Sequence, residues 1–245
     1  MSKLSDRNFN LKMFLPKILQ MTGNTAKNQP SASRFLLWVD AVGGFLVCLE
    51  DRVVLGQPVP ESQVDIPILG DLSRRHASIC RDEEGYLIEP MRDVRLDGQQ
   101  IQRATLLADG SLIDLKSPSG HGGVQLKFCR PHALSSTARL DFVSRHRTQP
   151  SADAVLLMAD TCILGPGKNN HVVCPKWSSD VVIFRRGDEL FCQTTGPLEN
   201  GTLEIDGKKY GGPGGHRPKG GPAQGPITLN SQVQGEDFSL SFEAL

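Results

Sequence analysis

Two glycines, each preceded by a strand-like segment and followed at a fixed distance by an Asp-Gly pair, constrain this chain more than any other feature. Forty-two residues separate Gly56 of Val53-Val54-Leu55-Gly56 from Gly98 of Val94-Arg95-Leu96-Asp97-Gly98. Forty-two again separate Gly165 of Cys162-Ile163-Leu164-Gly165 from Gly207 of Leu203-Glu204-Ile205-Asp206-Gly207. Matching apolar segments lie between them in the same order. Val64-Asp65-Ile66-Pro67 pairs with Val172-Val173-Cys174-Pro175, Ala77–Arg81 with Val181–Arg185, and Tyr86-Leu87-Ile88 with Leu190-Phe191-Cys192. Such short segments, punctuated by Gly, Pro and Asp, read as strands. Asp-Gly suits a two-residue hairpin turn. Val124-Gln125-Leu126-Lys127-Phe128 alternates with period two, which gives one buried face, and Phe238–Phe242 is its counterpart. Upstream, Phe35–Val39 and Phe45–Leu49 flank Gly43-Gly44 as a further hairpin. Short strands with no sustained helical period argue for a β-sandwich, and the recurrence argues for that sandwich twice.

The expectation is therefore an all-β chain holding two antiparallel β-sandwiches in tandem. Residues 1–33 read as an N-terminal tail and linker, in which Phe9–Met21 form a short, broken amphipathic helix. Residues 34–130 read as the first sandwich, 131–153 as a solvated connector and 154–245 as the second sandwich, each with its own core. Tyr210–Pro226, mostly Gly and Pro, reads as a mobile loop.

Composition narrows the function. Lys+Arg 27 against Asp+Glu 27 leaves no net charge, which argues against a general nucleic-acid or membrane-surface binder. No stretch approaches membrane-spanning length. The six cysteines sit singly inside apolar segments with no Cys-x-x-Cys pair, so free thiols in a reducing, cytoplasmic setting are expected. His171-Val-Val-Cys174 lacks the further ligands a zinc site needs, and no metal or cofactor is expected. Nucleophile-elbow, His-Glu-x-x-His and phosphate-loop sequences are all missing, and Gly165-Pro-Gly-Lys168 has the wrong spacing for the last. The chain reads as a non-enzyme. A hydrolase or transferase using His121 or His171 is the least favoured class.

The chemistry concentrates at Ser73-Arg74-Arg75-His76. A hydroxyl, two guanidiniums and an imidazole at one turn suit a phosphate, which wants charge-assisted donors at fixed angles. The plainer alternative is a strand-to-strand turn whose arginines face water. With Gly56-Gln57 upstream, Asp97-Gly98 downstream, and Leu106-Leu107-Ala108-Asp109-Gly110-Ser111-Leu112-Ile113 beyond, the stretch 34–130 resembles the forkhead-associated (FHA) domain. The resemblance implies two FHA-like sandwiches, the second degenerate, and loops at one end that grip a phosphothreonine peptide. It makes Ser73 a hydrogen-bond donor to phosphate and Arg74 a contact to phosphate or peptide; Arg75 and Arg92, which the resemblance does not assign, are expected as auxiliary cations. Gly56, His76, Asp97 and Gly98 would be structural, with His76 bracing the turn. Gln57 stands where the family carries arginine, and Arg92 where it carries an asparagine that anchors the peptide backbone. The expected partner is a phosphorylated protein or peptide read by a weakened pocket; the alternative is a scaffold for unmodified protein partners. In the second half Trp177-Ser178-Ser179-Asp180 replaces the basic turn, and its acid would repel phosphate.

Overall fold

The computed structural model describes residues 33–245 except 121, 133, 196–202 and 212–221. The expected helix at Phe9–Met21 and most of the Gly/Pro stretch lie outside the described residues, as does His121. Every described regular element is a strand, and the described residues form one compact unit. The first strands are β1 (Arg34–Val39), β2 (Gly43–Cys48), β3 (Arg52–Gly56), β4 (Ile66–Leu69), β5 (Ala77–Arg81) and β6 (Tyr86–Pro90). There follow β7 (Val94–Leu96), β8 (Gln99–Ile101), β9 (Thr105–Leu106), β10 (Leu112–Lys116), β11 (Gly123–Cys129) and β12 (Ala138–Phe142). The remainder are β13 (Arg147–Thr148), β14 (Ala154–Leu157), β15 (Thr161–Gly165), β16 (Val172–Val173), β17 (Val181–Arg186) and β18 (Glu189–Thr194), then β19 (Leu203–Ile205), β20 (Lys208–Tyr210), β21 (Gln224–Ile227), β22 (Gln232–Gln234) and β23 (Ser239–Ala244).

One twelve-stranded sheet, ordered β20-β19-β22-β23-β1-β2-β14-β12-β11-β10-β7-β8, runs through both halves. Two smaller sheets accompany it: β13-β4-β3-β5-β6-β9 and β16-β15-β17-β18-β21. Each encloses its own core with part of the long sheet. Ile66, Ile68, Ile79 and Ile88 of the six-stranded sheet pack with Ile113, Leu126, Phe128 and Leu140. Cys162, Leu164, Ile183 and Cys192 of the five-stranded sheet pack with Leu203, Val233, Leu240 and Phe242.

The pairing crosses the boundaries expected from the sequence. Hairpin β1–β2, at the head of residues 34–130, pairs with β23 at the far end of the chain: Leu37 stands opposite Phe242 and Trp38 opposite Ser241. In turn β12 and β14 continue the sheet from β11, so the expected connector 131–153 contains two strands, β12 and β13. Parallel pairing of β14 with β2 joins the two halves. Each core is thus completed by strands that the chain supplies from the other half.

Side-chain alternation explains why this arrangement holds. Phe35, Leu37 and Val39 enter one core while Leu36 enters the other; Phe45 and Val47 oppose Leu46 and Cys48; Leu156 opposes Val155 and Leu157. A strand with a dry core on both faces must be apolar throughout, as Phe35-Leu36-Leu37 and Phe45-Leu46-Val47 are. Each such fully buried side chain contributes about 1.5–3 kcal/mol relative to exposure.

The two Asp-Gly turns are built alike. Asp97 and Gly98 have φ of 51° and 83°, Asp206 and Gly207 51° and 78°, positive at both central residues, as type I′ hairpin turns require. Asp97 accepts from the Leu112 amide at 2.8 Å and the Ser111 hydroxyl at 3.2 Å; Asp206 accepts from the Gln232 amide at 2.8 Å and the Ser231 hydroxyl at 2.7 Å.

Candidate functional site

The turn from β4 to β5 is organised from beneath by His76, whose side chain is fully buried. Its Nε2 lies 3.0 Å from the Asp93 carbonyl oxygen, which can only accept, so Nε2 carries the proton. Nδ1 is then free to accept the Ser73 amide at 3.3 Å. Burial holds the imidazole below its ordinary pKa, against the favourable Asp93 carbonyl and with a smaller push from the Arg92 charge. The ring is a neutral brace.

The backbone of the same residue ties the β4–β5 turn to the end of β3 and to the β6–β7 loop. The His76 amide donates to the Leu55 carbonyl at 2.8 Å, and its carbonyl accepts the amides of Met91 and Arg92, both at 3.0 Å. The Gln57 amide donates to the Ser73 carbonyl at 3.1 Å. Gly56 lies directly under the turn, where an added Cβ would stand 2.0 Å from the Arg74 carbonyl oxygen. That contact, and not an unusual φ, requires glycine here.

Gln57, Ser73, Arg74, Arg75, His76 and Arg92 are therefore brought to one end of the six-stranded sheet. Ser73 and Gln57 are half-buried, while Arg74, Arg75 and Arg92 are exposed. Asp97 and Gly98 shape the neighbouring β7–β8 hairpin. One guanidinium nitrogen of Arg92 donates to the Met91 carbonyl at 2.8 Å. The result is a hydroxyl at the base of a cluster of guanidiniums, which is the chemistry an oxyanion dianion needs.

Sequence reasoning missed a second support. Asp71, on the same turn, accepts from the Ser117 hydroxyl and from the Ser119 hydroxyl at 2.6 Å. These hydrogen bonds hold its carboxyl below the usual carboxylate range. They also fasten the β4–β5 turn to the loop between β10 and β11. Ser117-Pro118-Ser119 carries no pattern that would single it out in a sequence.

The corresponding end of the five-stranded sheet is built differently. Leu164 opposes Val181 as Leu55 opposes Ala77, so the register places Trp177–Asp180 where Ser73–His76 stand. Trp177 is 6% exposed and packs on Phe238 with ring centroids 5.1 Å apart. Asp180 accepts from the Asn170 side chain at 2.7 Å, and its carbonyl accepts the Thr195 amide at 2.9 Å. An indole in the core and a carboxylate replace the hydroxyl and guanidiniums.

His171 is buried and takes part in packing. Its Nδ1 accepts the Ile163 amide at 2.9 Å, its carbonyl accepts from Arg139 at 2.7 Å, and its ring centroid lies 6.2 Å from that of His132. Burial first, then the charges of His132 and Arg139, push its pKa down to about 4. The six cysteines are unbridged, and burial pushes the Cys48, Cys162 and Cys192 thiols up to about 12. Among the described residues, no three His, Cys, Asp or Glu side chains gather as metal ligands, and no helix is long and apolar enough to cross a membrane.

The family model of the FHA domain matches residues 53–116, from β3 through β10, which contain the whole Ser73–His76 turn. The described residues are all-β with sandwich-like sheets, and the stretch that matches the FHA model lies within the six-stranded sheet and the adjoining part of the long one. The chain is also similar to the NMR-based structure of the FHA-2 domain from a Mycobacterium tuberculosis ABC transporter. Identity there is 21%, covering 57% of this chain and 99% of that one, at a TM-score of 0.28, a likeness too loose to build on. No curated protein matches the chain.

Proposed function

We propose that this protein is a non-catalytic adaptor that reads phosphothreonine in a protein partner through the β4–β5 turn. The observation that carries the reading is the turn itself. Buried, neutral His76 holds the Ser73 amide, the end of β3 and the β6–β7 loop, while Ser73 and Arg74 are offered above it. Ser73 would donate to the phosphate, Arg74 would pair with it, and Arg75 and Arg92 would supply further positive charge. A phosphate of about −1.5 to −2 charge gains from each such donor. Gln57 withholds one cation from the site, so the affinity is weak for a module of this type. The five-stranded sheet and its partners form a degenerate second copy of the same sandwich, kept for its structural contribution, and its Trp177–Asp180 end does not take phosphate.

A second reading is favoured by Gln57 and Arg92: the same end of the sheet holds an unmodified protein segment, and the domain serves as a scaffold. Amide-resolved NMR titration separates the two. Phosphothreonine peptide moves the Ser73–His76 and Met91–Arg92 amides in the first case, and the unphosphorylated peptide moves them equally in the second.

A further inference from the structure

The basic run Arg145-His146-Arg147 lies outside residues 53–116, yet the fold returns it to the phosphate-reading end. Strand β13 pairs antiparallel with β4, with Arg147 opposite Leu69 and Thr148 opposite Ile68, so the residues before Arg147 run on beside the start of the β4–β5 turn. The His146 imidazole lies against Gly70, three residues before Ser73; an added Cβ at Gly70 would meet its Cδ2 at 2.9 Å and its Nε2 at 3.3 Å. Three residues of chain span at most about 10 Å. The strand order β13-β4-β3-β5-β6 gives the same scale. Ser73, whose carbonyl holds the Gln57 amide just beyond β3, stands between the 143–146 loop on one side and Arg92, just beyond β6, on the other. Two strand spacings are about 10 Å.

The loop is fixed and still has donors to give. The Val143 and Ser144 amides donate to the Gln125 carbonyl at 2.9 and 3.3 Å, and the Ser144 hydroxyl accepts the Gln125 amide at 3.0 Å. The hydroxyl proton has His146 Nδ1 at 2.8 Å and the Gln125 carbonyl only at 3.4 Å, so it goes to Nδ1. That leaves Nε2 as the protonated nitrogen, a donor on the side facing the turn. Arg145 and Arg147 are both exposed. Arg147 stands 3.9 Å from Asp153, whereas no ion pair among the described residues engages Arg145. Asp71, the carboxylate on the turn, is taken up by the Ser117 and Ser119 hydroxyls. Bonding to Gln125 accounts for the position of the loop. It uses neither the His146 Nε2–H nor the Arg145 guanidinium.

We infer that Arg145 and the His146 Nε2–H form a second anion subsite, which reads an acidic side chain on one side of the phosphothreonine in the partner peptide, within about three residues of it at the rise of an extended chain. The inference rests on the phosphothreonine reading above. A guanidinium and an imidazole N–H suit a carboxylate or a second phosphate, both of which accept charge-assisted hydrogen bonds. The subsite is supplied by a loop that follows the phosphate-reading segment in the chain, so the partner is an acid-flanked or doubly phosphorylated segment.

Isothermal titration of the full chain compares phosphothreonine peptides with alanine flanks, with glutamates on the N-terminal side only and with glutamates on the C-terminal side only. Glutamates on one side alone are expected to tighten binding about three-fold, the scale of exposed charge pairs. Arg145→Ala, and His146→Phe, which keeps a ring against Gly70, should each bring the affinities for the favoured and the alanine-flanked peptide together, with circular dichroism confirming the native fold. Phosphoserine in place of the favoured glutamate binds more tightly if the natural group is a second phosphate, and less tightly if it is a carboxylate. Equal affinity for all flanks, an equal gain from glutamates on either side, or a preference that survives in both variants would overturn the subsite, even where the same peptides without phosphate bind less well. Loss of phosphate dependence in the wild type would overturn the phosphothreonine reading and the subsite with it.

Discussion

The carbonyl oxygen of Arg74 rests on Gly56, closer than any side chain at that position would allow. The residue proposed to touch phosphate is thereby set by a glycine on a different strand. Gly56→Ala must push the turn outward or bend β3. We expect it to cost about 1–3 kcal/mol of stability, as overpacking does, and to displace the Ser73–Arg74 amide resonances. Chemical denaturation and a two-dimensional NMR spectrum check both effects. An unshifted turn would mean that the contact is not what positions it.

His76 and Ser73 are expected to separate stability from binding. His76→Ala leaves the Asp93 carbonyl and the Ser73 amide without a buried partner, at roughly 1–3 kcal/mol. Ser73→Ala removes an oxygen that has no hydrogen-bond partner among the described residues, and should change stability by no more than about 0.5 kcal/mol. Urea denaturation of the two variants measures the difference. Equal losses would contradict the assigned roles.

Acid should weaken the fold in a defined window. His76 and His171 both titrate lower in the native protein than in the unfolded chain, and His171 falls to about 4. Below about pH 6.5 the unfolded chain therefore takes up protons that the native state refuses. Stability is full above that point and falls toward about pH 4, by at most about 1.4 kcal/mol per pH unit for each histidine. At still lower pH, protonation of Asp71 and Glu89 adds to the loss. Both carboxyls are held low by hydrogen bonds, Asp71 by Ser117 and Ser119 and Glu89 by Arg52 and Ser78. Denaturation midpoints at pH 7, 5.5 and 4.5 trace this curve, and a flat profile across them would contradict it.

The exchanged strands predict that neither half folds alone. A fragment of residues 131–245 lacks β1 and β2, and with them Phe35, Leu37, Phe45 and Val47 of its core. A fragment of residues 49–130 lacks β12 and β14, and with them Leu140, Val155 and Leu157. Both fragments should give poorly dispersed NMR spectra, while residues 33–245 unfold in one transition. A well-folded 131–245 would show that β1–β2 is dispensable to the second core.

These results show how far the sequence could be read. The alternation of Val124–Phe128, the Asp97-Gly98 turn and the Ser73–His76 cluster act through neighbours close in the chain or through period-two patterning, and such signals are local. The β1–β23 pairing is not local: Leu37 meets Phe242 across almost the whole chain. The unbroken apolar runs of β1 and β2 did hint at burial on both faces, but nothing in them says which strand lies alongside. Asp71 was equally silent, because its partners Ser117 and Ser119 come from a loop more than forty residues away.

The central claim is best tested by isothermal titration of the full chain with a threonine peptide in its phosphorylated and plain forms, repeated with Ser73→Ala, Arg74→Ala and Gln57→Arg. Each lost charge-assisted bond is worth on the order of 1.5–3 kcal/mol, or about ten-fold or more in affinity. The expected result is weak binding of the phosphorylated peptide alone, reduced at least ten-fold by either alanine variant and strengthened by Gln57→Arg. Equal affinity for both peptides, with no preference created by Gln57→Arg, would contradict the phosphate-reading account and leave the scaffold in its place.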